Sequence, residues 1–247
     1  MNAVRHSWLI FAHETGMMFR QVPLMAASLI NPLFYLFLFG PLLAALPGVG
    51  GYDSFTPGLL ILLGLFSSTS VGFGMLSQWR SGVLERFRVG PAGTFAVVTG
   101  NVGREAVSLL CQALIVMLLG IPLGLHVKFL GLLAACAIVL VLGVMFASFA
   151  IGVALTLRNE NALAPVLTTV VVPLMLLSGV LLPMNLAPKW LSWISDVNPV
   201  RYSVDVIRAW FRTDFTSATS IRGLIVTLVF AAITFGWAMR TYANMER

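Results

Sequence analysis

Long apolar runs separated by short polar connections dominate the chain. A transmembrane helix needs about 20 mostly apolar residues to cross about 30 Å of hydrocarbon. The segments that reach this length are residues 24–46, 57–78, 106–125, 129–157, 162–182 and 223–239. Prolines inside these runs, such as Pro165 and Pro173, are compatible with spans because neighbouring groups can bond the carbonyls that they free. The pattern predicts an all-α polytopic membrane protein with six transmembrane helices in a single domain.

Two amphipathic segments precede the third span. Residues 1–21 place Trp8 and Phe11 on one side of a helical wheel, with Arg5 and His13 opposite, which predicts an interfacial helix. That helix is equally compatible with a plain membrane anchor and with a docking surface.

Residues 79–91 form the second amphipathic segment. They place Val83 and Phe87 together, with Glu85 on another side, and Gly90-Pro91 ends the pattern. We interpret them either as a short helix that inserts into a groove of another protein or as a solvated loop.

A third amphipathic segment, residues 183–222, precedes the last span. Trp190 and Trp193 suit a short helix at headgroup depth, and Asn198-Pro199 breaks it. A second helix follows, on which Asp205 is spaced to pair with arginines three and four residues away. Such a helix lies on the membrane, dips into a protein cavity, or presents a solvated charged face.

Composition agrees with the hydrophobic pattern. The 247 residues are 59% hydrophobic and 10% charged, whereas soluble domains carry about 25% charged residues. The net charge of +6 comes from residues that flank the apolar runs, as in the loops of membrane proteins, so we predict no nucleic-acid partner. With the N-terminus inside, more than half of the fifteen Lys and Arg residues lie on the inner side. This predicts cytoplasmic N- and C-termini in the cell membrane.

Candidate chemistry is sparse. The predicted spans hold almost no ionisable groups away from their ends, and Glu105 beside Arg104 is interpreted as an interfacial ion pair at the edge of the third span. The histidines and the two cysteines show no metal-ligand spacing. There is no GxxxxGK[ST] loop to hold phosphates. We therefore expect no catalytic residues, no metal and no cofactor in this chain, so any energy from a nucleotide must come from a separate subunit that binds it.

The outer segment carries a recognisable signature. Ser178-Gly179 is followed by Pro183, then by Pro188-Lys189-Trp190-Leu191 and by Asn198-Pro199-Val200-Arg201-Tyr202. This arrangement resembles the class-two permeases of ATP-binding-cassette (ABC) transporters, and within them the drug-export branch typified by daunorubicin exporters. The resemblance extends over the whole layout, although the short loop after the first span leaves little outer domain.

The resemblance implies roles for particular residues. An inner coupling helix and a second inner loop would contact a separate ATP-binding subunit: Gly82, Val83, Glu85, Arg86, Phe87, Arg88, Arg158 and Glu160. A pair of outer re-entrant helices would close the pathway through Asn198, Pro199, Tyr202, Asp205 and Arg208. Two permease copies in the bilayer, identical or homologous, would form a substrate path from spans one, two and five. Its candidate residues are Phe34, Phe37, Ser67, Ser70, Thr168 and Thr169.

The resulting hypothesis is a permease subunit that exports a drug, lipid or lipid-linked compound with energy from its ATP-binding partner. Two other classes remain open. An ion-coupled secondary transporter or channel is disfavoured by the lack of deep charges. An integral-membrane enzyme acting on lipids is disfavoured by the lack of a catalytic constellation.

Overall fold

A computed structural model describes Gly16 and residues 29–45, 51–82, 93–180 and 188–245. Helices account for nearly all of these residues, and no strand occurs among them. In chain order the helices are α1 (Leu29–Leu43), α2 (Gly51–Arg80), α3 (Gly93–Gly120), α4 (Phe129–Leu157), α5 (Glu160–Leu177), α6 (Lys189–Asp196), α7 (Pro199–Phe211) and α8 (Ala218–Met245).

Five of these helices are long and apolar enough to cross a membrane: α2, α3, α4, α5 and α8. The described part of the predicted first span is α1, which is shorter. Inside α1, a π-helical turn at Tyr35–Phe39 precedes Pro41. Proline supplies no N–H and crowds the preceding turn, so the regular hydrogen-bond ladder is interrupted there. The predicted interfacial helix, residues 1–21, lies outside the described residues except for Gly16.

Two helices begin before the spans that the sequence predicted. Helix α2 begins at Gly51 rather than Pro57, and α3 begins at Gly93 rather than Ala106. In both helices, the residues before the predicted span include polar ones, such as Ser54 and Asn101, which interrupt the apolar run. These side chains are buried by the rest of the bundle. A search for apolar runs does not detect the parts of a helix whose polar side chains face other helices.

Helix α4 lies at the centre of the bundle and packs against α2, α3, α5, α7 and α8. Close approach depends on its glycines. A Cβ at Gly143 would lie 2.6 Å from the Cα of Ala106 on α3, and one at Gly131 would lie 2.5 Å from the backbone oxygen of Trp210 on α7. Small residues allow helix backbones to approach closely and to gain dispersion contacts where lipid supplies no hydrophobic drive.

The connections collect at two ends of the bundle, which we call inner and outer after the predicted orientation. At the inner end, Arg80 of α2 meets Glu160 of α5. At the outer end, the Asp53 carboxylate of α2 accepts a hydrogen bond from the His126 backbone N–H after α3, at 2.7 Å. Helices α6 and α7 also lie at the outer end, since Arg208 of α7 bonds to the first turn of α2.

Asn198 joins the outer helices to the bundle. Its side-chain oxygen caps α7 by accepting a bond from the Val200 N–H at 3.0 Å. Its Nδ2 donates to the backbone oxygen of Leu174, in the last turn of α5, at 2.8 Å. The last four carbonyls of a helix have no partner within that helix. Asn198 therefore satisfies the start of one helix and the end of another.

We predict that Asn198→Asp destabilises the protein whereas Asn159→Asp does not. Both asparagines are N-caps with acceptor oxygens, and aspartate caps equally well, but only Asn198 also donates to another helix. Losing a buried hydrogen bond costs about 1–3 kcal/mol, which should lower the midpoint of thermal unfolding by several degrees at about 2–4 °C per kcal/mol. Tryptophan fluorescence in nanodiscs would measure it, and equal midpoints for the two variants would contradict this role.

Candidate functional site

Functional candidates fall into three groups along the bundle. An inner clamp consists of Trp79, Arg80, Arg158 and Glu160. A polar seam between α2 and α3 consists of Ser67, Gln78, Asn101, Glu105, Ser108 and Gln112. An outer clasp consists of Asn198 and Arg208 with the backbone oxygens that they bond. The sequence pointed to parts of the first and third groups and missed the second as a unit.

The inner clamp joins the end of α2 to the start of α5. Arg80 Nη1 lies 2.7 Å from Glu160 Oε2, and the Arg158 guanidinium lies over the Trp79 ring at 6.0 Å from its centroid. Gly82 follows α2 with a φ of +70°, a backbone conformation that glycine adopts at no steric cost. Helix α2 therefore ends directly after this clamp.

The connection between α4 and α5 is short and well capped. Arg158 ends α4 in the left-handed conformation, and Asn159 accepts a bond from the Asn161 N–H at the start of α5. These two residues reverse the chain without a flexible linker, which fixes Glu160 opposite Arg80. The predicted coupling residues Val83, Glu85, Arg86, Phe87 and Arg88 lie outside the described residues.

The polar seam runs along one face of α3. Asn101, Glu105, Ser108 and Gln112 follow the i, i+4, i+7, i+11 spacing of a single helix face, and all four are buried. The Ser67 hydroxyl of α2 donates to the Glu105 carboxylate. Gln78 of α2 and Asn101 exchange hydrogen bonds at 3.3 Å, and Gln112 donates to Ser108 at 3.2 Å.

Glu105 does not occupy the interfacial position that the sequence predicted. It lies about 18 Å along α3 from Gly93 and about 22 Å from Gly120, at about 1.5 Å per residue, with 8% of its surface exposed. Consecutive helix residues such as Arg104 and Glu105 do not face each other, and the hydroxyl that bonds this carboxylate comes from α2. A carboxyl group near the middle of a membrane bundle is expensive and marks a functional site by default.

The outer clasp is completed by Arg208. Its Nε donates to the Ser54 backbone oxygen at 3.1 Å, and its Nη2 donates to the Gly179 backbone oxygen at 2.7 Å. Asp205 lies 3.9 Å from both Arg208 and Arg201. Burial raises the pKa of the Asp205 carboxyl, and the guanidinium groups of Arg208 and Arg201 oppose that shift. One arginine thus ties α7 to the start of α2 and to the segment after α5.

The other predicted outer residues support this arrangement locally. Pro199 occupies the first turn of α7, where its missing N–H leaves no bond unmade. Tyr202 donates its hydroxyl proton to the Asp196 backbone oxygen at the end of α6, at 2.9 Å. Both residues fix the angle between α6 and α7 rather than contacting α2 or α5 through their side chains.

Most of the predicted substrate-path residues lie on open faces of the bundle. Phe34 and Phe37 of α1 are 59% and 49% exposed, and Ser70, Thr168 and Thr169 are exposed as well. Helices α1 and α5 both pack on α2. The helices of the predicted path are therefore in contact through α2.

No group of three or more potential metal ligands occurs among the described residues. The one carboxylate of the seam has a serine hydroxyl as its partner, and neither group is paired there with a histidine base. The inner clamp and the outer clasp connect helices rigidly at the two ends of the bundle, and the Ser67–Glu105 bond is a buried polar contact between them. This arrangement suits the movement of helices and the recognition of a molecule in the membrane.

Comparison with known proteins gives the family. The family model described as "ABC-2 type transporter" matches residues 6–212. "Putative transport permease ycf38" of Cyanophora paradoxa is 26% identical over 229 residues, covering 85% of this chain and 79% of that protein. The protein of the same name from Porphyra purpurea is 23% identical over 214 residues, covering 82% and 72%.

Apolar helices long enough to span a bilayer and a family match over most of the chain agree with each other. The predicted membrane-protein class and the predicted permease family are both confirmed. The chain is a multi-pass membrane protein that belongs to the ABC-2 type transporter family.

Proposed function

We propose that this chain is the transmembrane subunit of an ABC exporter that moves a hydrophobic or amphipathic compound out across the cytoplasmic membrane. Energy would come from ATP hydrolysis, with Mg²⁺, in a separate nucleotide-binding subunit. The observation that carries the proposal is the family match over residues 6–212, because ABC-2 permeases generally work with an ATP-binding subunit. The drug-export branch, which the signature of the outer segment resembles, is part of the proposal.

Exposed residues on three helices support a pathway shared between two permease copies. Helix α1 exposes Phe34 and Phe37, α2 exposes Ser70 and α5 exposes Thr168. Large apolar groups combined with hydroxyls suit an amphipathic cargo better than they suit lipid alone, in which a hydroxyl gains no hydrogen bond. A second copy packed against these helices would enclose the path.

The inner clamp supports a coupling role for the segment after α2. Residues 83–88 follow directly on Arg80 and Gly82, and the Arg80–Glu160 pair connects that point to α5. A push on the segment would therefore reach two helices of the proposed path at once. Packed helices shift between discrete arrangements as rigid bodies, which is how closure of the ATP-binding subunits would become movement of the bundle.

The outer clasp supports a gate. Asn198 and Arg208 hold α7 across the ends of α2 and α5, which are two of the three helices of the proposed path. Outward release of cargo would require these bonds to break or to move together with α2 and α5. The orientation used throughout, with both termini in the cytoplasm, belongs to the same proposal.

The first alternative is an ion-coupled transporter or channel. The sequence argued against it through a lack of deep ionisable residues, and that argument no longer holds because Glu105 is buried near the middle of α3. Family membership nevertheless favours the ATP-driven mechanism. The second alternative, an enzyme acting on lipids, gains no support from the described residues.

Glu85→Arg should weaken association with the ATP-binding subunit. The coupling role places Glu85 at the contact, where reversing a charge converts attraction into repulsion. Lys189→Glu is the control, because it reverses an exposed charge at the outer end. Co-purification of tagged chain from native membranes would measure the amount of bound ATPase. If both variants retain the same amount, the coupling role is wrong.

Arg80→Glu should lower the ATPase activity of the reconstituted complex about two- to fivefold, and Glu160→Arg added to it should restore most of that loss. Both side chains are partly exposed, and such pairs are worth about 0.2–1 kcal/mol. The double variant re-forms the pair with the charges exchanged. If the double variant is no better than Arg80→Glu, the pair does not transmit the movement.

Arg208→Lys should open the outer end. Lysine keeps the charge but cannot bond both carbonyls in the fixed geometry of the guanidinium. Val180, which is fully buried beside the clasp, would be changed to cysteine after Cys111 and Cys136 are replaced by alanine. An impermeant thiol reagent added outside should label Val180→Cys about tenfold faster in the Arg208→Lys background. Arg212→Lys, at the exposed position directly after α7, should leave the rate unchanged, and equal rates in all three backgrounds would contradict the gate.

A further inference from the structure

The polar seam contains a carboxylate that the proposed transport cycle does not use. Among the described residues, acids in the candidate spans other than Glu105 lie at helix ends, namely Asp53 in the first turn of α2 and Glu160 at the first position of α5. Glu105 alone lies near mid-helix and is almost fully buried. Removing a carboxylate from water is unfavourable unless groups of the protein or a ligand replace its hydration, and the group bonded to Glu105 is a single serine hydroxyl.

Ser67 connects Glu105 to an open face of α2. Going round α2, Gly64, Ser68 and Val71 face the bundle and are buried. Ser70 lies on the opposite side of Ser67 from them and is exposed. Ser67, at the boundary, is half-buried and donates its hydroxyl to Glu105.

The open face continues toward the inner end. A Cβ built at Gly74, two turns on from Ser67, has no atom within 4 Å, and Ser77 one turn further is exposed. Buried Ser68 bonds its own helix at the Leu65 oxygen, whereas Ser70 makes no side-chain hydrogen bond within the described part of the chain. The face therefore offers room and free hydroxyl groups beside a hidden carboxylate.

We infer that Glu105 is the anionic contact for a lipophilic cation, which reaches it along the Ser67–Ser70–Gly74 face of α2. The inference rests on the proposed function, in which this face belongs to the cargo path. The Ser67 hydroxyl can release the carboxylate by rotation about the Cα–Cβ bond of the serine. The cation then gains a charged contact in a medium where such contacts are strong.

The surrounding groups narrow the class of ligand. Arg104, the next residue on α3, is half-buried and opposes the charge of Glu105. Because Arg104 offsets part of the negative charge, a small hydrated cation would gain too little from Glu105 to replace the loss of its water. A cation with a large apolar surface gains from burial as well as from charge. An organic ammonium or phosphonium fits these conditions.

The test uses two ions of nearly identical shape and opposite charge, tetraphenylphosphonium and tetraphenylborate. Their binding to the purified chain in phosphatidylcholine nanodiscs would be measured by equilibrium dialysis, with empty nanodiscs subtracted. Glu105→Gln should weaken phosphonium binding about ten- to a hundredfold and should not weaken borate binding. Asp214→Asn, which removes an exposed carboxylate at the outer end, should change neither.

Equal phosphonium binding by wild type and Glu105→Gln would overturn the inference and leave the Ser67–Glu105 bond as a structural contact between helices. Equal weakening of both ions would do the same, because it would indicate altered packing rather than lost charge.

A second measurement needs no variant and decides the matter if Glu105→Gln cannot be purified. A hydrophobic carbodiimide would be reacted with the wild-type chain, and modification at Glu105 quantified by peptide mass spectrometry. Phosphonium should slow the modification several-fold and borate should not. Modification that phosphonium leaves unchanged, or a Glu105 that never reacts, would contradict a reachable site.

The two proposals fail separately. These measurements use the permease chain alone and therefore test the binding site independently of the ATPase. Phosphonium binding through Glu105 by a chain that purifies from its native membrane without any ATPase would refute the exporter and keep the binding site. An ATPase-coupled chain that binds both ions alike would refute only the cationic cargo.

Discussion

The structure depends on one constraint: a polar group placed inside an apolar bundle must find its partner within the protein. The outer helices satisfy it through Asn198 and Arg208, which bond backbone oxygens in the last turn of α5, in the first turn of α2 and in the segment after α5. At the inner end the partly exposed Arg80–Glu160 pair joins α2 to α5. Between the two ends, the Ser67 hydroxyl donates a hydrogen bond to the Glu105 carboxylate. Each of these contacts joins two helices. The side chains that pair polar groups within the protein are therefore also the ones that would transmit movement between the two ends of the bundle.

Apolar runs were sufficient to predict the class of the protein and most of its spans, because lipid imposes a length and a composition on any crossing helix. The break at Asn198-Pro199 was also predictable, since the cap and the proline are local features. The partners of Asn198 and Arg208 were not, because Leu174, Ser54 and Gly179 are brought to them by the packing of distant segments. No periodicity in one helix reveals which carbonyl of another helix is left free.

The polar seam shows why a search for apolar runs failed to group its residues. Asn101, Glu105, Ser108 and Gln112 carry a helical period that is visible in the sequence, but starting the third span at Ala106 divided it in two. A hydrophobicity criterion ends a span where polar residues begin, even if those residues face a neighbouring helix. A search for polar residues at helical spacing next to an apolar run would have placed Glu105 inside α3.

The central claim is that this permease moves its cargo with work done by another chain. The most direct measurement is purification of the protein from its native membrane in mild detergent, followed by mass spectrometry of the intact complex. The account predicts a separate nucleotide-binding chain bound to a pair of permease subunits, and ATP hydrolysis by that complex. A chain that purifies without such a partner and transports by itself under an ion gradient in proteoliposomes would contradict it.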